Sequence, residues 1–221
     1  MLKSEQNKRI MEAYPFLKRV VDEAHDPLYT AVKLAILGNA IDVMINDKRL
    51  DIENLIEEQL EMPLSRTMYG EFEKRVKESR LLVIFGDNAG EIVFDKLLIE
   101  TIRERHDMEV VLIVRGEPTL NDVTVNEARS VGMGEIATIV ENGIDGPCPG
   151  TILTRCSEEV NDLVKRADLI ISKGGGNFDT LDEEKRGGLK TPISFMLLSK
   201  CEPYSEYLNV GVGLPILSNA F

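Results

Sequence analysis

The chain has 221 residues, enough for one compact α/β domain with a modest appendage, and its 43% hydrophobic content supplies a core and excludes a disordered polypeptide. A formal charge of −12, with no basic block at either end, excludes a surface for phosphate backbones and so a nucleic-acid partner. Cys148, Cys156 and Cys201 lack CxxC spacing, which argues against a disulfide framework or a structural zinc site. With no apolar run long enough for a membrane span and no signal-peptide pattern, the expected location is the reducing cytoplasm.

Residues 4 to 24 carry apolar side chains at helical spacing, with Pro15 as a joint. Asp26 as N-cap and Pro27 at the first helical position open a second helix that runs to about Ile45. Inside it Gly38, Asn39 and Asp42 interrupt an otherwise apolar pattern. A glycine in mid-helix costs up to about 1 kcal/mol against alanine. Either the interruption is a solvated stripe or kink, or Gly38 permits close backbone approach while Asn39 and Asp42, sharing a face, line a polar pocket. Residues 51 to 60 read as a short acidic helix ended by Pro63, and residues 65 to 79 as a charge-paired one. Residues 1–78 therefore form a helical N-terminal portion, and a change of hydrophobic period near residue 80 opens an α/β portion over 79–221.

Leu81–Phe85 is a short β-favouring apolar run that breaks at Gly86 and delivers Asp87 and Asn88 before a helix from about Ala89 to Arg105. Asn88 and Glu91 could be explained as an N-cap and its capping-box partner. Asp87 could not, because a carboxylate at the end of an apolar strand is costly unless it is solvated, hydrogen-bonded or bound to a cation. Further strands are expected at Glu109–Val114, Ile136–Val140, Asp168–Ser172, Ile193–Leu198 and Val212–Leu217. Helices at about 124–131, 157–167 and 181–187 alternate with them, which predicts right-handed βαβ units and a mostly parallel sheet. Ligands of such a sheet bind at the carboxyl ends of its strands.

Two more strand ends carry chemistry. After the second strand, Thr124 and Glu127 already make a capping box, which leaves Asp122 as a functional carboxylate. After the fourth stands Lys173-Gly174-Gly175-Gly176-Asn177, read as a loop whose backbone N–H groups crowd round an oxyanion beside a lysine charge. Thr180 and Glu183 are expected to cap the next helix, so Asn177 too is left over. The glycine run fits neither the dinucleotide fingerprint nor a Walker loop. Two carboxylates with one amide oxygen suit a hard divalent cation that keeps several waters and accepts phosphate oxygens.

These blocks carry a family resemblance. Gly86-Asp87-Asn88-Ala89-Gly90-Glu91, Arg115-Gly116 with Pro118 and Asn121-Asp122-Val123-Thr124, and Ser172-Lys173-Gly174 with Asn177-Phe178 resemble the signature blocks of the metal-dependent damage-control phosphatases, the ARMT-like family. Asp26-Pro27-Leu28 and Gly38–Asp42 are similar to its N-terminal blocks, and the likeness runs from about residue 10 to the end. A CxxC segment with which relatives often begin is missing here. The resemblance implies an α/β/α sandwich with a helical N-terminal portion and metal-dependent hydrolysis of phosphomonoesters, with manganese, cobalt, nickel or magnesium. It implies Asp87, Asn88 and Asp122 as metal ligands, and Lys173 as the phosphate-facing lysine. The catalytic set is then Asp87, Asp122 and Lys173, with Gly174, Gly175, Asn177, Glu91, Asn39 and Asp42 lining the phosphate site. The expected partner is a small phosphorylated metabolite, a sugar phosphate or phosphopantetheine-like ester. The competing reading is a non-catalytic module that binds a nucleotide or metal, since sheets of this type support both.

Overall fold

The computed structural model describes residues 3–44 and 52–221, with the side chains of residues 39–44 outside that description. Five helices come first: α1 (Lys3–Glu12), α2 (Tyr14–Asp22), α3 (Pro27–Met44), α4 (Ile52–Leu60) and α5 (Arg66–Glu78). Pro15 sits in the first turn of α2, where a missing N–H costs nothing. Asp26 caps α3, its Oδ1 accepting from the Tyr29 N–H at 3.1 Å, and Ser65 Oγ does the same for α5 by accepting from Met68 N at 3.3 Å.

The rest alternates: β1 (Leu81–Phe85), α6 (Glu91–Arg103), β2 (Glu109–Val114), α7 (Val125–Ser130), β3 (Thr138–Glu141), α8 (Glu158–Arg166), β4 (Leu169–Lys173), α9 (Gly174–Arg186), β5 (Ile193–Leu198), α10 (Glu202–Leu208) and β6 (Pro215–Ala220). The strands form one sheet in the order β3-β2-β1-β4-β5-β6, parallel except for β6, which pairs antiparallel with β5. From β1 the chain winds outward through β2 to β3, and from β4 it winds the other way. The switch point, where the crevice of a doubly wound sheet opens, therefore lies between β1 and β4.

Alternation along the strands builds two cores. Leu82 and Ile84 join α1–α6 side chains such as Ile10, Leu17, Leu34, Phe72 and Phe94 on one face. Val83 and Phe85 meet Val160, Leu163 and Val164 of α8 and Phe178 and Leu181 of α9 on the other, which makes an α/β/α sandwich. Gly38 is the contact point of α3 with α6: a Cβ there would lie 2.7 Å from Phe94 Cδ2, so the expected close approach is present. Asn39 and Asp42 lie on α3, but their side chains are among those not described. No described helix is long and apolar enough to cross a membrane.

Four expectations need correction. Helix α6 starts at Glu91 with Gly90 (φ 79°) as its N-cap, so Asn88 does not cap it. The glycine run is no loop: α9 begins at Gly174 and continues through Thr180 and Glu183. Thr180 Oγ donates to the Gly176 carbonyl one turn back instead of capping. The last strand is Pro215–Ala220, shifted from the apolar run at 212–217 because Gly213 turns the chain at φ 85°. Helix α10 was not expected, since none of its residues is buried and no apolar periodicity marks it.

Candidate functional site

Three backbone hydrogen bonds zip the turn after β1 to the loop after β2. Val123 N donates to Asp87 O (2.7 Å), Ala89 N to Asn121 O (2.9 Å) and Gly86 N to Ile113 O (3.0 Å), while Asn88 and Asp122 face each other in an antiparallel bridge. Gly86 allows this approach, because a Cβ would lie 2.9 Å from Val123 Cγ1. The zip fixes the two acids on adjacent loops at the switch point. Asp87 and Asp122 are both buried.

Asp87 packs against the start of α9. A Cβ on Gly174 would fall 1.9 Å from Asp87 Oδ2, and Gly174 itself has φ 75°, so only glycine serves here. The carboxyl group thus meets the end of α9 where backbone N–H groups lack intrahelical partners and the dipole is positive. Burial above all, then the charges of Glu91 and Asp122, pushes the Asp87 pKa up to about 8, against the opposing pull of Arg115 and Lys173.

Asn88 Nδ2 donates to Asp87 Oδ2 (2.7 Å) and Glu91 Oε2 (3.3 Å). Both carboxylates claim its nitrogen, which turns the carbonyl oxygen away from them and leaves it as a potential ligand. Asp122 is gripped from the other side: Arg115 Nε donates to its Oδ2 at 2.6 Å. The same guanidinium donates to Gly150 O (2.7 Å), Thr151 Oγ1 (3.0 Å) and Asn177 Oδ1 (3.0 Å). Asn177 in turn donates from Nδ2 to Gly86 O (3.1 Å) and Lys173 O (2.8 Å), so one carboxamide ties the ends of β1 and β4 to Arg115.

Lys173 is buried beneath this layer. Its Nζ donates to Glu91 Oε1 (2.6 Å) and Ala35 O (2.7 Å) and pairs with Asp95 Oδ1 (2.7 Å), at zero exposure. Burial opposes the charge, yet Asp95 and Glu91 hold its pKa above the usual lysine value. Glu91 Oε1 and the Ala35 carbonyl accept hydrogen bonds from the ammonium, and Asp95 Oδ1 lies beside it as an ion-pair partner. Contact with a phosphoryl oxygen would require one of these partners to be given up.

Asp87, Asn88, Glu91, Asp122, Lys173, Gly174 and Asn177 are brought together. Gly175 lies in the first turn of α9 on the side of Tyr204, whose Oη would be 2.6 Å from a Cβ there. Arg115, Asp95 and Thr151 belong to the same cluster but were not singled out as site residues. Asp95 did leave a signal, as an acid one turn beyond Glu91 in an otherwise apolar stretch of α6. A cavity of about 750 Å³ opens on the far part of the β2–α7 loop, lined by Gly116, Pro118, Thr124, Arg129, Glu141 and Ser157 among others, and it contains none of the expected site residues.

The donor set fits a divalent cation. Among the described buried groups here, the four carboxylates of Asp87, Glu91, Asp95 and Asp122 outnumber the two cations of Arg115 and Lys173. No group of three or more His, Cys, Asp or Glu that could hold a metal ion is formed among the described residues; Asp87, Asp122 and the Asn88 amide oxygen would supply three oxygens, and water or a ligand oxygen would have to complete the shell.

Comparison with known proteins gives a consistent result. The damage-control phosphatase ARMT1-like domain model matches residues 1–215. An uncharacterised protein of Methanocaldococcus jannaschii is 34% identical over 98% of this chain and 71% of its own length. A damage-control phosphatase of Archaeoglobus fulgidus is 32% identical over 96% of this chain and 72% of its own. The crystal structure of a DUF89 family protein from Pyrococcus horikoshii superposes with a TM-score of 0.84 at 30% identity, covering 99% of this chain and 74% of that one.

Proposed function

The chain belongs to the damage-control phosphatase ARMT1-like family, and from that premise we propose that it is a metal-dependent phosphatase of small phosphorylated metabolites, sugar phosphates or phosphopantetheine-like esters. One observation carries the reading: Asp87 and Asp122 come from two strand ends and are locked side by side by the backbone zip, with Asp87 against the N-terminus of α9 and buried carboxylates in excess around them. Asp87, Asn88 Oδ1 and Asp122 would hold a divalent cation, manganese, cobalt, nickel or magnesium. Such an ion supplies Lewis-acid stabilisation of charge on a transferring phosphoryl group.

The chain's own residues do the rest. The N–H groups of Gly174 and Gly175 open α9 and offer hydrogen bonds and a positive dipole to phosphoryl oxygens. Arg115 holds Asp122 Oδ2, so the carboxylate keeps one orientation as ligands come and go. Lys173 holds Glu91 in place, and Glu91 orients the carboxamide of Asn88. Asp122 is our candidate to orient the attacking water. Asn39 and Asp42 enter this proposal only as residues of α3, the helix whose Ala35 carbonyl holds Lys173.

The test is a panel of phosphomonoesters assayed after chelation and again after single metals are restored. Inactivity in chelator with turnover restored by manganese, cobalt or nickel is expected. Full activity in excess chelator would sink the metal mechanism, and no turnover with any metal would favour a non-catalytic nucleotide- or metal-binding module.

A further inference from the structure

Helix α1 is not part of the switch-point crevice, yet two of its side chains end there. Asn7 is 2% exposed, and its carboxamide bridges the turn after β1 and helix α7. Its Oδ1 accepts from the Gly90 N–H at 2.6 Å, in the turn that carries Asp87 and Asn88. Its Nδ2 donates to Glu127 O and Ser130 Oγ, both at 3.1 Å, in the helix that follows Asp122. Lys3, one turn earlier, donates from Nζ to the Asp122 carbonyl at 2.5 Å.

Gly90 has φ 79°, and its N–H is pointed at Asn7 in the residue that sets the start of α6. A short, buried, oriented bond at that N–H fixes the turn. A buried polar side chain more than 80 residues away in sequence needs such partners to be stable in an apolar setting, and here every one of them belongs to a ligand-bearing loop or the helix that continues it.

We propose that Asn7 is a positioning residue for the metal site: it clamps the Asp87–Asn88 turn against α7, the helix that continues the Asp122 loop, and α1 is thereby a working part of the site. The proposal rests on the metal-site reading above. Outer partners of metal ligands typically change affinity by about ten- to a hundredfold when removed, and a clamp that ties one ligand-bearing turn to the helix following the other belongs in that range.

The experiment is calorimetric titration of manganese into the chelated full-length wild type, Asn7→Ala and Asn7→Asp, with Ile10→Val as a control of the same helix. Asn7→Ala is expected to weaken manganese about ten- to a hundredfold. Asn7→Asp, which keeps the acceptor for Gly90 N–H but loses both donors, should fall between it and wild type, and Ile10→Val should leave affinity unchanged. Wild-type affinity in folded Asn7→Ala, or an equal loss in Ile10→Val, overturns the clamp. Amide exchange in the metal-free proteins separates this from the parent reading. If wild type binds no metal, the metal reading fails, while faster exchange at residues 87–90 and 121–123 in Asn7→Ala, with α1 itself still protected, would keep the clamp; unchanged exchange there would overturn it. Should Asn7→Ala not fold, the same two measurements on Asn7→Asp decide.

Discussion

Replacing Lys173 by methionine isolates the charge at the centre of the molecule. The substitution keeps an unbranched apolar stem of similar length and removes only the ammonium, so the loss is not a cavity. In wild type that ammonium lies 2.6 Å from Glu91 Oε1, 2.7 Å from Asp95 Oδ1 and 2.7 Å from the Ala35 carbonyl, with no solvent access. Removing one partner of a buried ion pair costs about 3–5 kcal/mol, because an uncompensated charge stays in a low-dielectric interior. Here two carboxylates are stranded, so the upper half of that range is expected, a large share of a total stability of roughly 5–15 kcal/mol. For a chain of this size the melting temperature should fall by about 10–20 °C, at roughly 2–4 °C per kcal/mol. The pH dependence gives a second check. Burial, with Glu91 adding to it, already pushes Asp95 up to about 6 even with Lys173 opposing. Loss of Lys173 raises it further, and a folded-state pKa above the unfolded value means stability that is present in acid and lost as pH rises. The deficit of Lys173→Met relative to wild type should therefore be larger at pH 8 than at pH 5. Urea unfolding at the two pH values measures it. A deficit under about 1 kcal/mol at pH 8 with an unchanged m-value, or a gap that widens towards acid, would refute the buried-hub reasoning.

Three further outcomes follow from the same geometry. Asp87→Asn removes a carboxylate that burial, Glu91 and Asp122 disfavour, so above pH 8 the metal-free variant should melt higher than metal-free wild type while calorimetry finds no manganese binding. Gly174→Ala places a Cβ 1.9 Å from Asp87 Oδ2 at φ 75°; left-handed strain of about 1–2 kcal/mol plus overpacking of about 1–3 kcal/mol should lower stability and weaken the metal together. Gly188→Ala, at φ 111° with nothing within 4 Å of its added Cβ, should show the backbone strain alone, and equal losses in the two alanine variants by thermal melts would remove Asp87 from the explanation.

The strands were the most legible elements. The runs Leu81–Phe85, Glu109–Val114 and Ile193–Leu198 coincide with β1, β2 and β5, because unbroken apolar β-formers of that length are what a parallel sheet buried on both faces requires. Asp87 and Asp122 were legible as strand-end acids that capping could not explain. Helix α9 was hidden because three glycines are the strongest local signal against a helix. Their reason is tertiary: a Cβ would strike Asp87 at Gly174, Tyr204 at Gly175 and, at 3.2 Å, the Gly150 backbone at Gly176. The glycines serve close approach at a helix start, not the flexibility of a loop. The setting of Lys173 was hidden for a related reason, since Ala35 and Glu91 lie 138 and 82 residues away and no local pattern records such a meeting.

On the proposed metal-site reading, the arrangement of charge explains why one lysine is buried so deeply beneath a site that would attract a cation. Carboxylates gathered this closely repel one another, and the charges of Glu91 and Asp122 add to burial in raising the pKa of Asp87. Lys173 offsets part of the inner layer's charge by binding Glu91 and Asp95, and Arg115 holds Asp122 from the side. Their pull relieves Asp87 only in part, and burial with the charges of Glu91 and Asp122 still pushes its pKa up to about 8. The imbalance is thereby concentrated on the one carboxyl group that faces both Asn88 and the positive end of α9, where an incoming divalent ion recovers the most electrostatic energy. Moving Lys173 to the surface to meet a phosphate would take the buried cation away from Glu91 and Asp95, and would weaken the hold on Asn88.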